Sequence, residues 1–359
     1  MEKFGFLAVI LVWGGLFYLL FVNGPIASNF GSSNFLSSVV ASLNTNSQSQ
    51  GKVIGISDSQ GNFKSAEIHF NQSVDIFDIE ISKNVSNGAP LIFAGSNHGL
   101  FISRDNSLNW YNFSDVEHKI NSDSQVYKIL FNPNSPSEGF ISVFYQGKGV
   151  IYKSHDNFFS LEKIFEVNNE AVYDFNTDGQ NLYLGLSNGR LIIYSLVKNA
   201  SRILTTFNSP ISQLKVFQNS GLIYLTLKSG GFWVSTNYGE SFGRMAFLDK
   251  YSGANKIHNF EPSLLNNALV YASTDYGLIR SVDSGANWQV FKSLPAEKQM
   301  ISAVAFKANP GEIFAASSGK IYISLDHDLN WQVISTGFDN RLISIIKPIG
   351  DKIIIGTKS

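Results

Sequence analysis

A short phrase, Ser-x-Asp followed five residues later by Trp, recurs along this chain of 359 residues. Complete copies begin at Ser103, Ser281 and Ser324, and weaker copies begin at Ser154 and Ser235. Ser235, Ser281 and Ser324 are separated by 46 and 43 residues. The 81 residues between Ser154 and Ser235 amount to two such periods. Self-similarity at a fixed period constrains a fold strongly, and a period of roughly 40 to 50 residues with short strands is typical of propeller blades.

The residue types in this phrase suit a turn. An Asp side chain caps a tight turn by accepting bonds from backbone N–H groups a few residues further on. Gly allows a left-handed backbone, and Trp supplies a large apolar body that packs between sheets. We therefore predict a structural role for Ser103, Asp105, Trp110, Ser154, Asp156, Ser235, Asn237, Phe242, Ser281, Asp283, Gly285, Trp288, Ser324, Asp326 and Trp331. Calcium binding is not expected, because it needs several oxygens clustered in one loop.

Each unit has the same predicted layout of four antiparallel strands. An alternating apolar strand comes first, as at 126–131, and a second strand ends in small residues, as at 91–96. A Gly-centred hairpin follows, the third strand runs into the Ser-x-Asp turn, and the fourth begins near the Trp. Six units are predicted, at 74–114, 125–167, 171–207, 211–248, 256–292 and 300–337.

Two fragments remain, and they complement each other. Residues 341–359 supply two strands and stop, whereas residues 51–70 begin in mid-unit. Pairing the first and last strands in one sheet removes the open edges that favour aggregation. We predict an all-β fold over 51–359, a seven-bladed β-propeller of four-stranded antiparallel blades whose N- and C-terminal strands share one blade.

The N-terminal segment has a different composition. Phe4 to Val22 is an uncharged run of 19 residues, close to the ~20 that span a bilayer as a helix. Lys3 precedes it and no Lys or Arg follows until Lys52, so the positive-inside rule puts the N-terminus in the cytoplasm. We predict a cytoplasmic stub at 1–3, a transmembrane signal anchor at 4–22, a flexible Ser/Asn-rich tether at 23–50, and an extracytoplasmic propeller in the periplasm or at the cell surface. A cleaved signal peptide is the alternative.

Composition excludes several classes of function. The formal net charge is −1 with no run of like charge, which argues against nucleic-acid binding. The chain has no Cys, so disulfides, zinc-thiolate sites and cysteine nucleophiles are absent. The six His are scattered without metal-ligand spacing, and no nucleotide-binding glycine loop occurs. No metal or cofactor is expected.

The turn phrase resembles a known repeat. Ser281, Asp283, Gly285 and Trp288 match the Asp-box (BNR) repeat, Ser-x-Asp-x-Gly-x-x-Trp, at every marked position. The surrounding strand pattern resembles sortilin-type ectodomains, oligoxyloglucan-type hydrolases and photosystem II stability/assembly-factor propellers. The resemblance covers residues 51–359. It implies the fold strongly and the function weakly, because one fold hosts many functions.

The function expected from these observations is non-catalytic binding of a protein partner, by analogy with the assembly-factor type. Candidate binding residues lie on first strands, which line the axis of a propeller, and are Tyr127, Lys128, Tyr173, Asp174, Gln213, Lys215, His258 and Asn259. About half of them are expected to point between blades, because strand residues alternate faces. Phe158 and Phe159 form either an exposed contact patch or a packed loop.

The alternative is a cell-surface glycan-binding or glycoside-hydrolase-like propeller. A glycosidase needs two carboxylates facing one cleft. Its candidate acids are Asp75, Asp78, Asp174 and Glu261, and nothing in the sequence makes two of them converge.

Overall fold

The computed structural model describes residues 8–13, 16–21, 52–57, 63–67, 73–86, 89–132, 135–263, 266–291, 294, 299–307, 311–326, 329–338, 341–350 and 352–359. The chain divides into two compact units, Met1–Asn46 and Ser47–Ser359. In the first unit, strands β1 (Ala8–Trp13) and β2 (Leu16–Phe21) pair antiparallel.

The helix predicted over 4–22 is therefore not supported. Gly14-Gly15 separates β1 from β2, and Gly-Gly is a dipeptide common in hairpin turns, so the same apolar run is compatible with two short strands. No helix among the described residues combines the length and the hydropathy needed to cross a bilayer. The predicted stub at 1–3 and tether at 23–50 lie outside the described residues.

The second unit is a seven-bladed propeller of four-stranded antiparallel sheets, as predicted. Blade 1 contains β5 (Ile76–Ser86), β6 (Ala89–Ser96), β7 (Gly99–Ser103) and β8 (Tyr111–Phe113). Blade 2 contains β9 (Gln125–Asn132), β10 (Ser135–Tyr145), β11 (Lys148–Ser154) and β12 (Glu162–Asn168). Blade 3 contains β13 (Val172–Thr177), β14 (Asn181–Leu186), β15 (Arg190–Ser195) and β16 (Ala200–Thr206).

The remaining blades repeat this order. Blade 4 contains β17 (Ile211–Val216), β18 (Ile223–Leu227), β19 (Phe232–Ser235) and β20 (Gly243–Arg244), followed by a 3-10 turn at Ala246–Lys250. Blade 5 contains β21 (Ile257–Pro262), β22 (Val270–Thr274), β23 (Gly277–Ser281) and β24 (Gln289–Val290). Blade 6 contains β25 (Ala303–Phe306), β26 (Ile313–Ser317), β27 (Lys320–Ser324) and β28 (Gln332–Ser335).

Blade 7 is built from both parts of the chain, which confirms the predicted ring closure. Its order is β29 (Leu342–Ile349), β30 (Lys352–Lys358), β3 (Lys52–Ser57) and β4 (Phe63–Glu67). Gly55 pairs with Ile355 across the junction. Ile54 and Ile354 are fully buried in one apolar cluster with Trp110 of blade 1. The N-terminal strand thus belongs to the same core as the C-terminal one.

Small residues on the second strands let neighbouring blades approach at the axis. A Cβ added to Gly95 would lie 2.6 Å from the Val126 carbonyl oxygen of the next blade, and one added to Gly185 would lie 2.7 Å from Ile211. The equivalent position of blade 7, Gly356, would meet Ile76 at 2.9 Å. Val126, Ile211 and Ile76 each lie at the beginning of the inner strand of a blade, and each packs against the glycine of the preceding blade. A side chain at that glycine would occupy the same space.

The Ser-x-Asp turns connect third and fourth strands. In five blades the Ser Oγ donates to the residue two positions on, over 2.8–2.9 Å, at Ser103, Ser154, Ser235, Ser281 and Ser324. The acceptor oxygen also receives the backbone N–H four residues beyond it, as from Asn109 to Asp105 at 2.9 Å. These are the bonds of a turn cap.

The aromatic residue of the turn packs backwards onto the preceding blade. Trp288 of blade 5 is buried against Phe232 of blade 4, edge to face at 5.3 Å, and its Nε1 donates to the Gly285 carbonyl. Phe158 is also fully buried, so the alternative of an exposed patch is wrong for that residue. Its ring contacts Phe93 of blade 1, and Phe159 lies 5.4 Å from Phe113.

Candidate functional site: the axial channel and its mouth

The innermost strands β5, β9, β13, β17, β21, β25 and β29 surround an axial cavity of about 560 Å³. All eight candidate binding residues line it, namely Tyr127, Lys128, Tyr173, Asp174, Gln213, Lys215, His258 and Asn259. Phe77, Asp78, Glu80, Lys228, Lys347 and Lys358 line it as well and were not in the predicted set.

About half of the candidates were expected to point between blades, and Asp174, Gln213 and Asn259 do bond the neighbouring blade. A β-bulge in the inner strands explains why these residues and their neighbours also line the cavity. On β13, Val172 pairs with Leu186 and Asp174 with Gly185, so Tyr173 is an extra residue. The same one-residue shift occurs on β5, β9, β17, β21 and β29. A bulge interrupts strict alternation and re-aims side chains. Two consecutive residues, such as Tyr173 and Asp174, therefore both line the cavity.

On four of these six strands, the second residue of the pair accepts a hydrogen bond from the neighbouring blade. Asp78 accepts the backbone N–H of Ile129 at 2.9 Å, and Asp174 accepts that of Leu214 at 2.8 Å. Amides take the same place in later blades, where Gln213 accepts from Phe260 and Asn259 from Val304. The predicted candidates Asp174, Gln213 and Asn259 therefore hold adjacent inner strands together.

Ion pairs fill the channel interior. Lys128 lies 3.2 Å from Asp78, Lys347 lies 2.7 Å from Glu80, and Lys215 lies 3.1 Å from Glu261. Burial by itself would lower the pKa of Lys128, but the carboxylates of Asp78, Asp174 and Glu80 outweigh it and raise that pKa. Carboxylates inside the channel therefore neutralise these three lysines by direct contact.

Each of the four candidate catalytic acids already has an ion-pair or hydrogen-bond partner. Asp78 and Glu261 are ion-paired, and Asp75 lies 3.1 Å from Arg341. Burial raises the pKa of Asp174, but its two oxygens accept the N–H groups of Phe175 and Leu214. An acid whose oxygens are both held by backbone groups is poorly placed to exchange a proton with a ligand.

One mouth of the channel carries a row of aromatic rings. It is formed by the bulged residues of three consecutive blades, Phe77, Tyr127 and Tyr173. Phe77 and Tyr127 stack at 5.0 Å, and Tyr127 meets Tyr173 edge to face at 4.9 Å. Burial and the neighbouring Tyr173 raise the pKa of Tyr127 to about 12. We call these three residues the aromatic row.

Two lysines flank the aromatic row. The Lys358 Nζ lies 5.4 Å from the ring centroid of Phe77, and the Lys228 Nζ lies 3.9 Å from that of Tyr173. On the other side of the mouth, His258 lies 2.7 Å from Asp275. Sequence reasoning missed Lys228 and Lys358 because they lie at the ends of second strands and not on first strands: Lys358 is the last residue of β30, and Lys228 directly follows β18. The signal that could have found them is their position in the strand register, because each lysine lies close to the bulged residue of its own blade.

The described residues contain no group of His, Asp and Glu that could hold a metal ion. The channel therefore has an interior neutralised by ion pairs and a rim that is aromatic and cationic.

Solved structures define the class of this protein as a seven-bladed β-propeller. No family model and no curated protein sequence matches the chain. YCF48 bound to a D1 peptide is 14% identical, with a TM-score of 0.60 over 81% of this chain and 94% of that one. YCF48 from Cyanidioschyzon merolae is also 14% identical, with a TM-score of 0.60 over 80% and 97%.

The extracellular domain of BT4673 from B. thetaiotaomicron is 16% identical, with a TM-score of 0.59 over 80% of this chain and 37% of that chain. At such identities the similarity establishes the fold alone.

Proposed function

We propose that this protein is a membrane-tethered, non-catalytic scaffold that binds a protein partner at the mouth defined by the aromatic row. One observation carries the proposal. The carboxylates inside the channel are committed to lysines or backbone N–H groups, whereas the mouth presents aromatic rings and two lysines. Aromatic side chains are enriched at protein interfaces. In YCF48, which has this fold, a D1 peptide is bound.

The proposal includes an Asp-box assignment for the five turns. It is supported by the Ser-to-Asp and Asp-to-backbone bonds, which recur in blades of different sequence. The turns lie between third and fourth strands, away from the inner strands that line the channel. We assign them the role of fixing blade geometry, with no contact to the partner.

The membrane tether rests on hydropathy and charge alone. The uncharged run from Phe4 to Val22, with Lys3 before it, supports an anchored N-terminus and an extracytoplasmic propeller. Carbonate extraction and protease protection of spheroplasts or vesicles test both parts. Release of the full chain by carbonate would refute the anchor. The topology would be supported if protease added on the extracytoplasmic side cleaves the propeller and protease added on the cytoplasmic side does not.

Crosslinking and affinity capture test the scaffold function. The tagged full chain, extracted from its own membranes in mild detergent, should enrich a specific protein. A bait carrying Tyr127→Ala and Tyr173→Ala should lose that protein, whereas Tyr111→Ala, on the outer strand β8, should keep it. Tyr111 is a matched control because it is an exposed tyrosine away from the channel. A folded bait that captures nothing would overturn the proposal.

Glycan binding is a second candidate, because polar channel groups lie beside the aromatic residues of the mouth. Aromatic residues with a few placed polar groups are typical of ligand pockets. A glycan array with a hydrolysis assay on the bound glycans tests it. Binding abolished by Tyr127→Ala and Tyr173→Ala would support this candidate, and turnover would replace the scaffold proposal with an enzymatic function.

A further inference from the structure

We infer that the mouth binds an acidic peptide segment, whose carboxylate lies between Lys228 and Lys358 and whose adjacent apolar side chain contacts the aromatic row. This inference rests on the proposed function and specifies the chemistry of the partner.

The first argument is charge. The other lysines of the channel, Lys128, Lys215 and Lys347, each have a carboxylate within 3.2 Å. Among the described residues, no carboxylate forms an ion pair with Lys228 or Lys358. The mouth thus holds two ammonium groups whose charge is not neutralised by direct contact.

The second argument is that these two lysines act on each other. Burial lowers the pKa of Lys358, the carboxylate of Asp75 raises it, the charge of Lys228 lowers it, and Asp78 raises it by a smaller amount. The carboxylate of Asp75 is already occupied, since it accepts bonds from Arg341 and from the backbone N–H of Ser359 at 2.6 Å. Two like charges near one another attract an anion, because it relieves their repulsion.

The third argument is shape. Lys358, Phe77, Tyr127, Tyr173 and Lys228 come from five consecutive blades, 7, 1, 2, 3 and 4. Consecutive blades surround the axis, so the row curves round the mouth and its end lysines lie across the opening from each other. An anion between the lysines is therefore held against a concave aromatic wall.

The ring contacts favour a peptide over a sugar. Sugar stacking requires an open ring face. Tyr127 stacks on Phe77 with an interplanar angle of 12°, and Lys358 also lies over the Phe77 ring. Lys228 covers a face of Tyr173. Ring edges carry partial positive charge and accommodate apolar and aromatic side chains, so an Asp or Glu beside Phe, Tyr, Trp or Leu matches the site.

The test uses the full chain in detergent on an array of capped random dodecapeptides. Capping removes terminal charges, so selection reports side chains. We expect bound peptides to be enriched in Asp or Glu next to an aromatic residue or Leu. The strongest peptide is then resynthesised for calorimetry. Replacing its acid by the amide should weaken binding about tenfold, since a charge-assisted bond is lost.

Matched variants localise the effect. Lys228→Gln and Lys358→Gln should each weaken the acidic peptide about tenfold and reduce the salt dependence of binding. Lys198→Gln removes the same charge from an exposed position outside the channel and should leave binding unchanged. Lys228→Arg and Lys358→Arg should retain binding, and thermal unfolding verifies that each variant is folded.

Three results would overturn the inference: selection of basic or uncharged peptides, unchanged binding of the acidic peptide to the Lys228→Gln/Lys358→Gln double variant, or stronger binding of trigalacturonate than of the peptide. Failure of the scaffold function is distinguishable. If membrane capture returns a partner that the double variant also binds, the scaffold stands and the inference fails. If capture returns nothing while the array selects acids through both lysines, the site chemistry stands and the scaffold function fails.

Discussion

Lys128 of blade 2 holds Asp78 of blade 1 at 3.2 Å, and the same carboxylate accepts the Ile129 N–H at 2.9 Å. One acid thus neutralises a channel lysine and bonds the adjacent inner strand. Both side chains are largely shielded from water, at 21% and 15% exposure. Removing one member of such a pair leaves the other charge uncompensated.

We expect Lys128→Met to reduce the free energy of unfolding by about 3 kcal/mol, because Asp78 loses its counter-charge in a shielded site. Adding Asp78→Asn should restore part of that loss, since Asn still offers an acceptor to Ile129. Chemical denaturation of the two variants and the parent measures both effects. A double variant less stable than Lys128→Met would contradict this account.

Gly95→Ala should destabilise the propeller by about 1–3 kcal/mol, a typical cost of overpacking. The new Cβ would lie 2.6 Å from a backbone oxygen of the next blade, which cannot rotate away. Gly243→Ala is the control, because its nearest neighbour would be Met245 Cε at 3.6 Å. Equal melting temperatures for the two variants would argue against close blade packing at Gly95.

The turn caps predict a compensating pair of substitutions. Asn109 Nδ2 donates to Asp105 Oδ2 at 2.6 Å, whereas in blade 4 Asn237 Nδ2 donates to Ser241 Oγ at 2.9 Å. Asp105→Asn alone therefore brings two amide donors together and should cost about 1 kcal/mol. Asp105→Asn with Asn109→Ser reproduces the Asn237–Ser241 pair of blade 4 and should recover most of the lost free energy of unfolding. A double-mutant cycle measures this coupling.

Ring closure predicts that a strand near residue 54 is as important as one near residue 354. Ile54→Ala and Ile354→Ala each remove a fully buried side chain from one cluster, so each should cost about 2–5 kcal/mol. Ile203→Ala, at a half-exposed outer position, should cost much less. A neutral Ile54→Ala would show that the N-terminal strand is dispensable.

Acid should destabilise the propeller through its turn caps. The backbone N–H of Asn287 lowers the pKa of Asp283, and that of Asn330 lowers the pKa of Asp326. A carboxyl with a lowered folded-state pKa contributes stability above its unfolded value near 3.8 and loses it as the pH falls through the folded value. Asp283→Asn with Asn287→Ser should therefore show a shallower loss of stability between about pH 4 and pH 2. An unchanged slope would exclude Asp283 as a contributor.

Much of this fold follows from local pattern. The spacing of Ser103, Ser281 and Ser324 predicted the blades, because a capped turn has one position in a blade. The half-units at the two ends predicted the shared blade, because an unpaired edge is unfavourable.

The parts that were missed depend on geometry without a local signature. A bulge at Tyr173 adds one residue without changing the apolar pattern, so the sequence did not show that Tyr173 and Asp174 both line the channel. Lys228 and Lys358 are distant in sequence from the rings they cover, and only the circular order of the blades brings them to one mouth. Hydropathy does not distinguish one long helix from two strands around Gly14-Gly15.

The pairing of Gly55 with Ile355 also sets the order of events during synthesis. Among the propeller strands, the ribosome makes β3 first and β30 last, so β3 has no ladder partner on its inner side until nearly the whole chain has emerged. Blades 1 to 6 are each contiguous in sequence, whereas blade 7 and the ring can be completed only after translation is nearly finished. Until then, both edges of the incomplete ring are open, and a chaperone that holds the Lys52–Ser57 strand would protect the nascent chain from edge-to-edge association.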